Sequence, residues 1–246
     1  MILFKRADKK LFLMLFALML FAILPELLMP LYKATAKIGQ DLVYSRAPIL
    51  SLLVEHIWLT LFSSGLSAIF GIMLGVLVTT KAGEDFKQVV TMFGSIGQTL
   101  PPVAVLAIAA GFVGYGTKPT LIALFLYGLF PIIAGTIAGL NAVGRDIILA
   151  AEGMGMTESQ IFLKVKLPLA AEVIIAGVRT SVVINIGTAT IGAAIGAGGL
   201  GAPIMAGLIN DNFPFIIQGG VAVGLLAVFT DRLISLFEMR IRAYRT

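Results

Sequence analysis

Apolar residues in this 246-residue chain are grouped into six long runs that short polar segments separate. A helix needs roughly 20 apolar residues to cross the hydrocarbon core of a bilayer. The runs predict six membrane-spanning helices, at about 11–31, 57–80, 89–112, 120–143, 170–195 and 213–237. Asp231 and Arg232 interrupt the last run, and this adjacent pair is tolerated because both side chains can reach toward water. The expected fold is an all-α, polytopic bundle that forms one transmembrane domain over residues 1–246.

Four pairs of glycines within or at the ends of the predicted spans are separated by three residues. Small residues at this spacing let helix backbones approach closely. We therefore expect tight helix packing at Gly71–Gly75, Gly135–Gly139, Gly192–Gly196 and Gly220–Gly224.

The composition fits a chain whose solvent is a lipid bilayer. Hydrophobic residues make up 59% of the chain and charged residues only 13%, and the mean hydropathy is +1.01. A soluble domain needs far more polar residues to cover its surface. The net charge of +5 does not indicate a nucleic-acid partner, because the Lys and Arg residues lie between the apolar runs rather than in one patch.

The distribution of basic residues predicts the orientation of the chain. Lys and Arg are enriched in the cytoplasmic segments of membrane proteins. One side carries thirteen: Lys5, Arg6, Lys9, Lys10, Lys81, Lys87, Arg145, Lys164, Lys166, Arg232, Arg240, Arg242 and Arg245. The other side carries four: Lys33, Lys37, Arg46 and Lys118. Both termini are therefore expected in the cytoplasm, and the run at 11–31 is too long for a signal peptide and is expected to be retained.

The residues offer no candidate for catalysis, metal binding or nucleotide binding. The chain has no cysteine, and its single histidine, His56, cannot build a zinc site of three or four ligands. Gly196, Gly198 and Gly201 satisfy a GxGxxG pattern, but that fingerprint must follow a strand. Here it follows a predicted span, so a flexible external loop is expected instead.

Polar residues and prolines inside the third run are candidates for a translocation path. Pro101 and Pro102 interrupt this run, and consecutive prolines remove two backbone donors and kink a helix. The freed carbonyls must be satisfied by protein or water, and the neighbouring Gln98 and Thr99 are suited to this. The pattern favours a structural kink, and a hinge or the lining of a path is the alternative.

The fifth run carries further polar residues, which are costly in hydrocarbon. Arg179 is expected near the middle of the membrane, and Glu172 lies seven residues earlier on the same helical face as a possible partner. Asn185, Thr188 and Thr190 continue the polar content. Two interpretations stay open, namely contacts that hold helices together and the lining of a hydrated path.

The longest segment between predicted spans, 144–168, has a pattern of its own. Residues 145–152 have helical apolar spacing, and Gly153 and Gly155 are expected to end this helix with left-handed backbone angles. Thr157 and Gln160 have the spacing of a capping box that opens a second short helix. Pro168 is expected to stop that helix before the fifth span. The prediction is a helix-turn-helix at the membrane surface.

This segment resembles the coupling loop of ABC importer permeases, whose pattern is Glu-Ala-Ala, three residues, Gly, nine residues and Ile-x-Leu-Pro. The matching residues are Ala150, Ala151, Gly155, Val165, Leu167 and Pro168. Leu149 stands at the position of the family's Glu, and Asp146 and Glu152 lie about one turn to either side as possible replacements. The resemblance implies that 144–168, with Thr157 capping its second helix, contacts a partner ATPase.

Three blocks resemble the osmoprotectant branch of these permeases, which imports glycine betaine, choline, carnitine and related compounds. They are Gln98–Ile108, 150–170 and Val178–Gly201, within a similarity that runs from about Ile49 to Phe237. The resemblance implies a type I importer fold in the bacterial inner membrane, an ATPase subunit, a second permease copy or paralogue, and an extracytoplasmic binding protein. ATP and magnesium are then expected on the ATPase, with no cofactor bound by this chain.

A self-contained secondary transporter or channel is the alternative function. Coupling to an ion gradient normally involves acidic residues within the membrane, and many such carriers repeat a broken helix in both halves. Only Glu172 and Asp231 lie near spans, and the break at Pro101–Pro102 has no second copy. The residues therefore favour a transport subunit over a carrier, and no enzyme activity is expected.

Overall fold

The computed structural model describes the backbone of residues 2–243 and the side chains of residues 9–241. Four basic residues that contribute to the predicted orientation, Lys5, Arg6, Arg242 and Arg245, have side chains outside this described part. Within 2–243 the chain is helical and contains no β-strand. The α-helices there are α1 (Ile2–Ile23), α2 (Met29–Thr35), α3 (Ile49–Leu77), α4 (Lys87–Thr99), α5 (Pro102–Val113), α6 (Thr117–Asn141), α7 (Arg145–Gly153), α8 (Glu158–Ile161), α9 (Leu167–Gly192), α10 (Gly201–Ile209) and α11 (Phe213–Ala243).

Three helices are long and apolar enough to cross a membrane alone, namely α3, α6 and the part of α11 at Phe213–Ile241. Two pairs of helices, bent by more than 40° at a short break, add two spans if each pair counts as one. The pairs are Lys9–Ile23 with Pro25–Thr35, and Glu84–Thr99 with Pro102–Val113.

The described residues thus give three to five candidate spans, where the sequence predicts six. Proline explains most of the difference, because a proline inside a helix removes a donor and clashes with the preceding turn. Pro25 breaks the first run, and Pro101 breaks the third. The fifth apolar run forms the 26-residue helix α9, which is not among the candidate spans of the described residues.

The chain divides into two compact units. Unit 1 comprises Met1–Ser63, Pro101–Leu124 and Val182–Leu233, and unit 2 comprises Ser64–Leu100, Phe125–Ser181 and Ile234–Thr246. One core of unit 1 joins Leu59, Leu124, Ala189 and Ala197. Two cores of unit 2 lie around Val78, Ile133 and Ile137, and around Leu140, Ala170 and Ile174.

Between His56 and Ser67, helix α3 is mainly polar on its buried side and apolar on its exposed side. Six positions of this stretch are buried; five are polar, and the sixth is Leu59: His56, Leu59, Thr60, Ser63, Ser64 and Ser67. Large apolar residues such as Trp58, Leu61 and Met73 are about 60% exposed. A soluble protein has the opposite arrangement, whereas in a bilayer small and polar residues join helices while apolar ones contact lipid.

Two of the predicted glycine pairs lie at close helix contacts in unit 2. A Cβ on Gly71 would lie 2.9 Å from Ile132, and a Cβ on Gly75 would lie 2.6 Å from Thr136; both partners are on α6. A Cβ on Gly139 would lie 2.9 Å from the carbonyl oxygen of Ala170 on α9. The same prediction is wrong for Gly220–Gly224, which face open space within the described residues.

Candidate functional site

The 144–168 element forms the predicted helix-turn-helix. Its first helix is α7, and Thr157 caps the second, α8, with both bonds of a capping box. The backbone N–H of Gln160 donates to the Thr157 hydroxyl at 3.3 Å, and the backbone N–H of Thr157 donates to the Gln160 amide oxygen at 2.9 Å. The spacing of Thr157 and Gln160 therefore predicted this helix start correctly.

The turn between α7 and α8 depends on one left-handed residue. Gly155 has φ +77°, and its N–H donates to the carbonyl of Glu152 at 2.9 Å. Gly153 was also predicted to be left-handed, which is wrong, because it is the last residue of α7 and Met154, with φ −80°, forms the cap. No atom lies within 4 Å of a Cβ built on Gly155, so a side chain there meets backbone strain rather than a clash.

The predicted helix stop at Pro168 is wrong. After α8 the chain continues through a π-helical turn, Phe162–Lys166, directly into α9. Pro168 is the second residue of α9. Proline is tolerated in the first turn of a helix, where its missing N–H has no intrahelical partner to lose.

Most residues predicted to couple this element to an ATPase lie on its surface. Asp146, Leu149, Ala150, Glu152, Gly155, Thr157 and Pro168 are exposed. Ala151 and Ile161 are buried, at 2% and 5%, and anchor the two helices. Val165 is half-buried, and Leu167 packs partly buried against Leu140 and Ala170. The element thus has an anchored side and a free side.

A cavity of about 660 Å³ lies between the 144–168 element and the ends of α3 and α6 in unit 2. Its rim carries charges of both signs, Lys81, Lys166, Glu152 and Glu158. Lys81 Nζ donates to Glu158 at 2.8 Å. This hydrogen bond, aided by charge attraction, lowers the pKa of the Glu158 carboxyl and raises the pKa of Lys81.

The residues predicted to line a path fall into both units. Pro101, Pro102, Asn185 and Thr188 belong to unit 1, whereas Gln98, Thr99 and Arg179 belong to unit 2. In unit 1, Pro102 and Thr188 line one small cavity of about 10 Å³, and Asn185 is fully buried. That volume suits about one water molecule.

Arg179 forms an ion pair that the sequence did not indicate. Its guanidinium lies 3.4 Å from the carboxylate of Glu238 on α11, and both side chains are partly buried. The two residues are 59 positions apart, so no local spacing points to the pair. The contact lies within unit 2 and fixes α9 to the end of α11.

Gln98 and Tyr127 form a second contact that local spacing does not indicate. The Gln98 amide donates to the backbone carbonyl of Tyr127 at 3.2 Å, and the Tyr127 hydroxyl donates to the carbonyl of Leu100. Gln98 is predicted to donate to a carbonyl freed by the prolines of its own run. In the structure it donates instead to the carbonyl of Tyr127 on α6.

The glycine-rich segment 196–201 is packed rather than open. The N–H of Gly199 donates to the Glu55 carboxylate at 2.9 Å, and Leu200 is fully buried. His56, also fully buried, donates from Nε2 to the carbonyl of Ile186 at 2.9 Å. The segment follows a 3-10 turn, Ala193–Ile195, and not a strand. Glu55 and His56 thus hold unit 1 together, and the expected flexible loop is wrong.

The chain matches a known family over most of its length. The family model described as "Binding-protein-dependent transport system inner membrane component" matches residues 70–243. This range contains the whole 144–168 element together with α4 to α11.

Curated relatives match a similar share of the chain. The osmoprotectant import permease protein OsmY of Salmonella typhimurium is 38% identical over 187 residues, which cover 76% of this chain and 79% of that protein. The glycine betaine/carnitine/choline transport system permease protein OpuCB of Bacillus subtilis is 37% identical over 188 residues, covering 76% of this chain and 85% of that protein.

A solved structure shares the fold. A chain of the MetNI methionine ABC transporter, in an inward-facing conformation, superposes with a TM-score of 0.63 at 26% identity. The superposition covers 81% of this chain and 99% of that chain. The predicted all-α, polytopic permease fold is therefore confirmed.

Proposed function

Since the chain belongs to the family of inner-membrane components of binding-protein-dependent transport systems, we propose that it is the permease subunit of an ATP-driven importer of quaternary-ammonium osmoprotectants. The expected cargo is glycine betaine, choline, carnitine or a similar small molecule. The observation that carries this proposal is the 37–38% identity with permeases named for these solutes, over 76% of the chain. Membership in a binding-protein-dependent family favours it over the self-contained carrier.

The 144–168 element is the proposed docking site for the ATPase. The Thr157 capping box fixes the start of its second helix, and Ala151 and Ile161 anchor the two helices, while Leu149 and Met154 are 51% and 74% exposed. An anchored element with an exposed apolar tip supports contact with a partner protein. ATP and magnesium belong to that partner, and Asp146 or Glu152 supplies the acidic contact that Leu149 lacks.

Both termini and the 144–168 element lie in the cytoplasm in this proposal, as the distribution of basic residues indicates. The opposite face then carries the segment at residues 36–48. An ion pair between Lys37 and Asp211 ties this segment to the start of α11, and the amide of Gln218 bonds the backbone of Leu42 at 2.9 Å. An ordered outer surface of this kind supports docking of the extracytoplasmic binding protein.

A second permease, identical or paralogous, completes the proposed translocation path. Helix α4 has no buried residue, and Val89, Met92, Phe93 and Ile96 on it are 45–65% exposed. Thr99 at the end of α4, with Pro101, Pro102, Asn185 and Thr188, stays the candidate lining. The ion pair of Arg179 with Glu238 favours a packing role for that residue.

Recognition of the quaternary ammonium group belongs chiefly to the binding protein. Such cations bind to the faces of aromatic rings. This chain has one Trp and five Tyr residues, and Tyr32, Tyr44 and Tyr127 are buried. The permease is therefore expected to conduct the solute rather than to select it.

Purification of the complete complex in mild detergent, followed by reconstitution into vesicles, tests the proposed function. We expect an ATPase subunit to co-purify, and uptake of radiolabelled glycine betaine, choline or carnitine to require the binding protein and ATP. Competition by the other two solutes is expected to reduce uptake. Purification without an ATPase, or ATP-driven uptake of a sugar or peptide that none of the three inhibits, would refute the proposal.

A further inference from the structure

Helix α6 contains a proline whose missing hydrogen bond is replaced by another helix. Pro131 lies inside α6 and has no N–H to donate to the carbonyl of Tyr127, four residues earlier. The side-chain amide of Gln98, at the end of α4, donates to that carbonyl at 3.2 Å. A backbone carbonyl that is partly buried and lacks a donor is costly, so Gln98 compensates for Pro131.

The break after α4 also leaves a carbonyl without a backbone donor, and here a residue of α6 supplies the hydrogen bond. Helix α4 ends at Thr99, and Leu100 has extended backbone angles, with ψ 134°. The next backbone donors, the N–H groups of Ala104 and Val105, bond to the carbonyl of Pro101 instead of Leu100. The Tyr127 hydroxyl donates to the carbonyl of Leu100. Helix α6, which contains Pro131, and helix α4, which ends before Pro101, thus satisfy each other's freed carbonyls through Gln98 and Tyr127.

These two hydrogen bonds matter because little else holds the end of α4. No residue of α4 is buried in the structure. It packs closely at Gly94, where a Cβ would lie 1.9 Å from the ring of Phe130 on α6. That contact is one turn earlier than Gln98, so the last turn of α4 depends on polar contacts. Within this chain, the apolar burial that stabilises most helices is slight along α4, where Val90 packs partly buried against the core around Val78.

From this geometry we infer that Gln98 and Tyr127 are positioning residues for transport, because they couple the end of α4 to α6. The inference rests on the proposed function. Helix α6 ends at Asn141, and α7 begins at Arg145. A displacement of the 144–168 element by the ATPase therefore reaches α6 directly, and the two hydrogen bonds pass it to Thr99. Gln98 thereby acts through α6 rather than by touching the solute.

The test uses the complete transporter in vesicles and measures solute uptake per ATP hydrolysed. Gln98→Leu and Tyr127→Phe each remove one hydrogen bond with little change of shape. Each is expected to lower uptake per ATP about tenfold, the effect of one lost hydrogen bond that leaves a partly buried carbonyl unpaired. Gln88→Leu and Tyr115→Phe are the matched controls, since Tyr115 is 82% exposed and Gln88 is exposed on the same helix as Gln98. Both controls are expected to match the wild type.

A rescue experiment separates this role from general packing. Pro131→Ala restores an N–H that can bond the carbonyl of Tyr127 within α6. In that background Gln98→Leu is expected to change uptake per ATP by less than about twofold, because the carbonyl no longer needs the amide. Loss of packing at Gln98 would instead persist in the Pro131→Ala background.

The outcomes are distinguishable. If the wild type hydrolyses ATP and transports while both variants equal it, the inference is overturned. If Gln98→Leu is impaired equally with and without Pro131→Ala, the carbonyl account is overturned, even if Gln98→Leu alone assembles poorly. If the wild type itself takes up none of the three solutes, the proposed function fails, and the inference that rests on it fails with it.

Discussion

Lys81 Nζ donates a 2.8 Å hydrogen bond to the carboxylate of Glu158, which joins the first residue of α8 to the segment after α3. Both side chains are highly exposed, at 89% and 86%. Exposed ion pairs add little to the free energy of unfolding. Ile161 already anchors α8, so the contact is expected to favour one position of this helix only slightly, and to affect the surface offered to the ATPase more than the stability of the chain.

The first prediction is that this contact is insensitive to pH over the neutral range. The lowered pKa of Glu158 keeps the contact formed above the ordinary value of 4.5, and it is lost only as pH falls through the lowered pKa. The raised pKa of Lys81 keeps it formed below 10.5, and it is lost only as pH rises through the raised pKa. Glu158→Gln should thus lower recovery of the ATPase relative to the wild type, and by the same factor at every pH between about pH 6 and about pH 9.

Salt provides the control for this prediction. An exposed ion pair is screened at about 1 M ionic strength. The difference between the wild type and Glu158→Gln should therefore shrink in high salt at any neutral pH. A difference that changes between about pH 6 and about pH 9 would contradict the assignment.

Local sequence spacing predicted the 144–168 element well because its structure is local. The capping box joins Thr157 to a residue three positions away, and the αL turn depends on Gly155 alone. Both features follow from the chemistry of one or two neighbouring residues. The π-helical turn before Pro168 was missed, because no residue type marks such a turn, and proline reads equally as the end or the first turn of a helix.

Contacts between distant residues were not predictable in the same way. The pair of Arg179 with Glu238 and the bond of Gln98 to Tyr127 join residues 59 and 29 positions apart. One signal was present: a proline at 131 implies a freed carbonyl at 127 that needs an outside donor. The identity of the donor depends on helix packing, which a single sequence does not specify.

The second prediction concerns orientation. Single cysteines in this cysteine-free chain can be labelled with a membrane-impermeant thiol reagent. Gly199 and Tyr44 are unsuitable positions because both are buried, whereas Ile38 and Met154 are fully and 74% exposed. Ile38→Cys should label from outside intact cells, and Met154→Cys only after the cells are opened. Labelling of Met154→Cys from outside would reverse the proposed orientation.

The third prediction concerns Arg179. Arg179→Leu should lower the yield of folded complex, because the partly buried Glu238 carboxylate loses a charge partner, at about 1–2 kcal/mol. Uptake per folded complex should change little. Adding Glu238→Gln should recover part of the yield, since no unpaired charge then remains at that position. Normal yield with impaired uptake would instead assign Arg179 to the translocation path.

The fourth prediction tests the turn of the 144–168 element. Gly155→Val places a branched side chain at φ +77°, which costs about 1–2 kcal/mol for an L residue. Because the space around Gly155 is open, the strain is relieved by turning α8 relative to α7 rather than by moving neighbours. Membrane insertion should be unchanged, while ATPase recovery and solute uptake should both be lost.

Gly153 supplies the matched control for Gly155→Val. It lies in the same element, also with no atom within 4 Å of a Cβ, but its backbone is helical. Gly153→Ala should therefore keep full ATPase recovery and uptake, since alanine favours a helix by about 1 kcal/mol over glycine. Loss of ATPase recovery in Gly155→Val but not in Gly153→Ala assigns the defect to the left-handed turn. If Gly155→Val keeps normal recovery and uptake, the ATPase does not depend on this turn, and the 144–168 element is not its docking site.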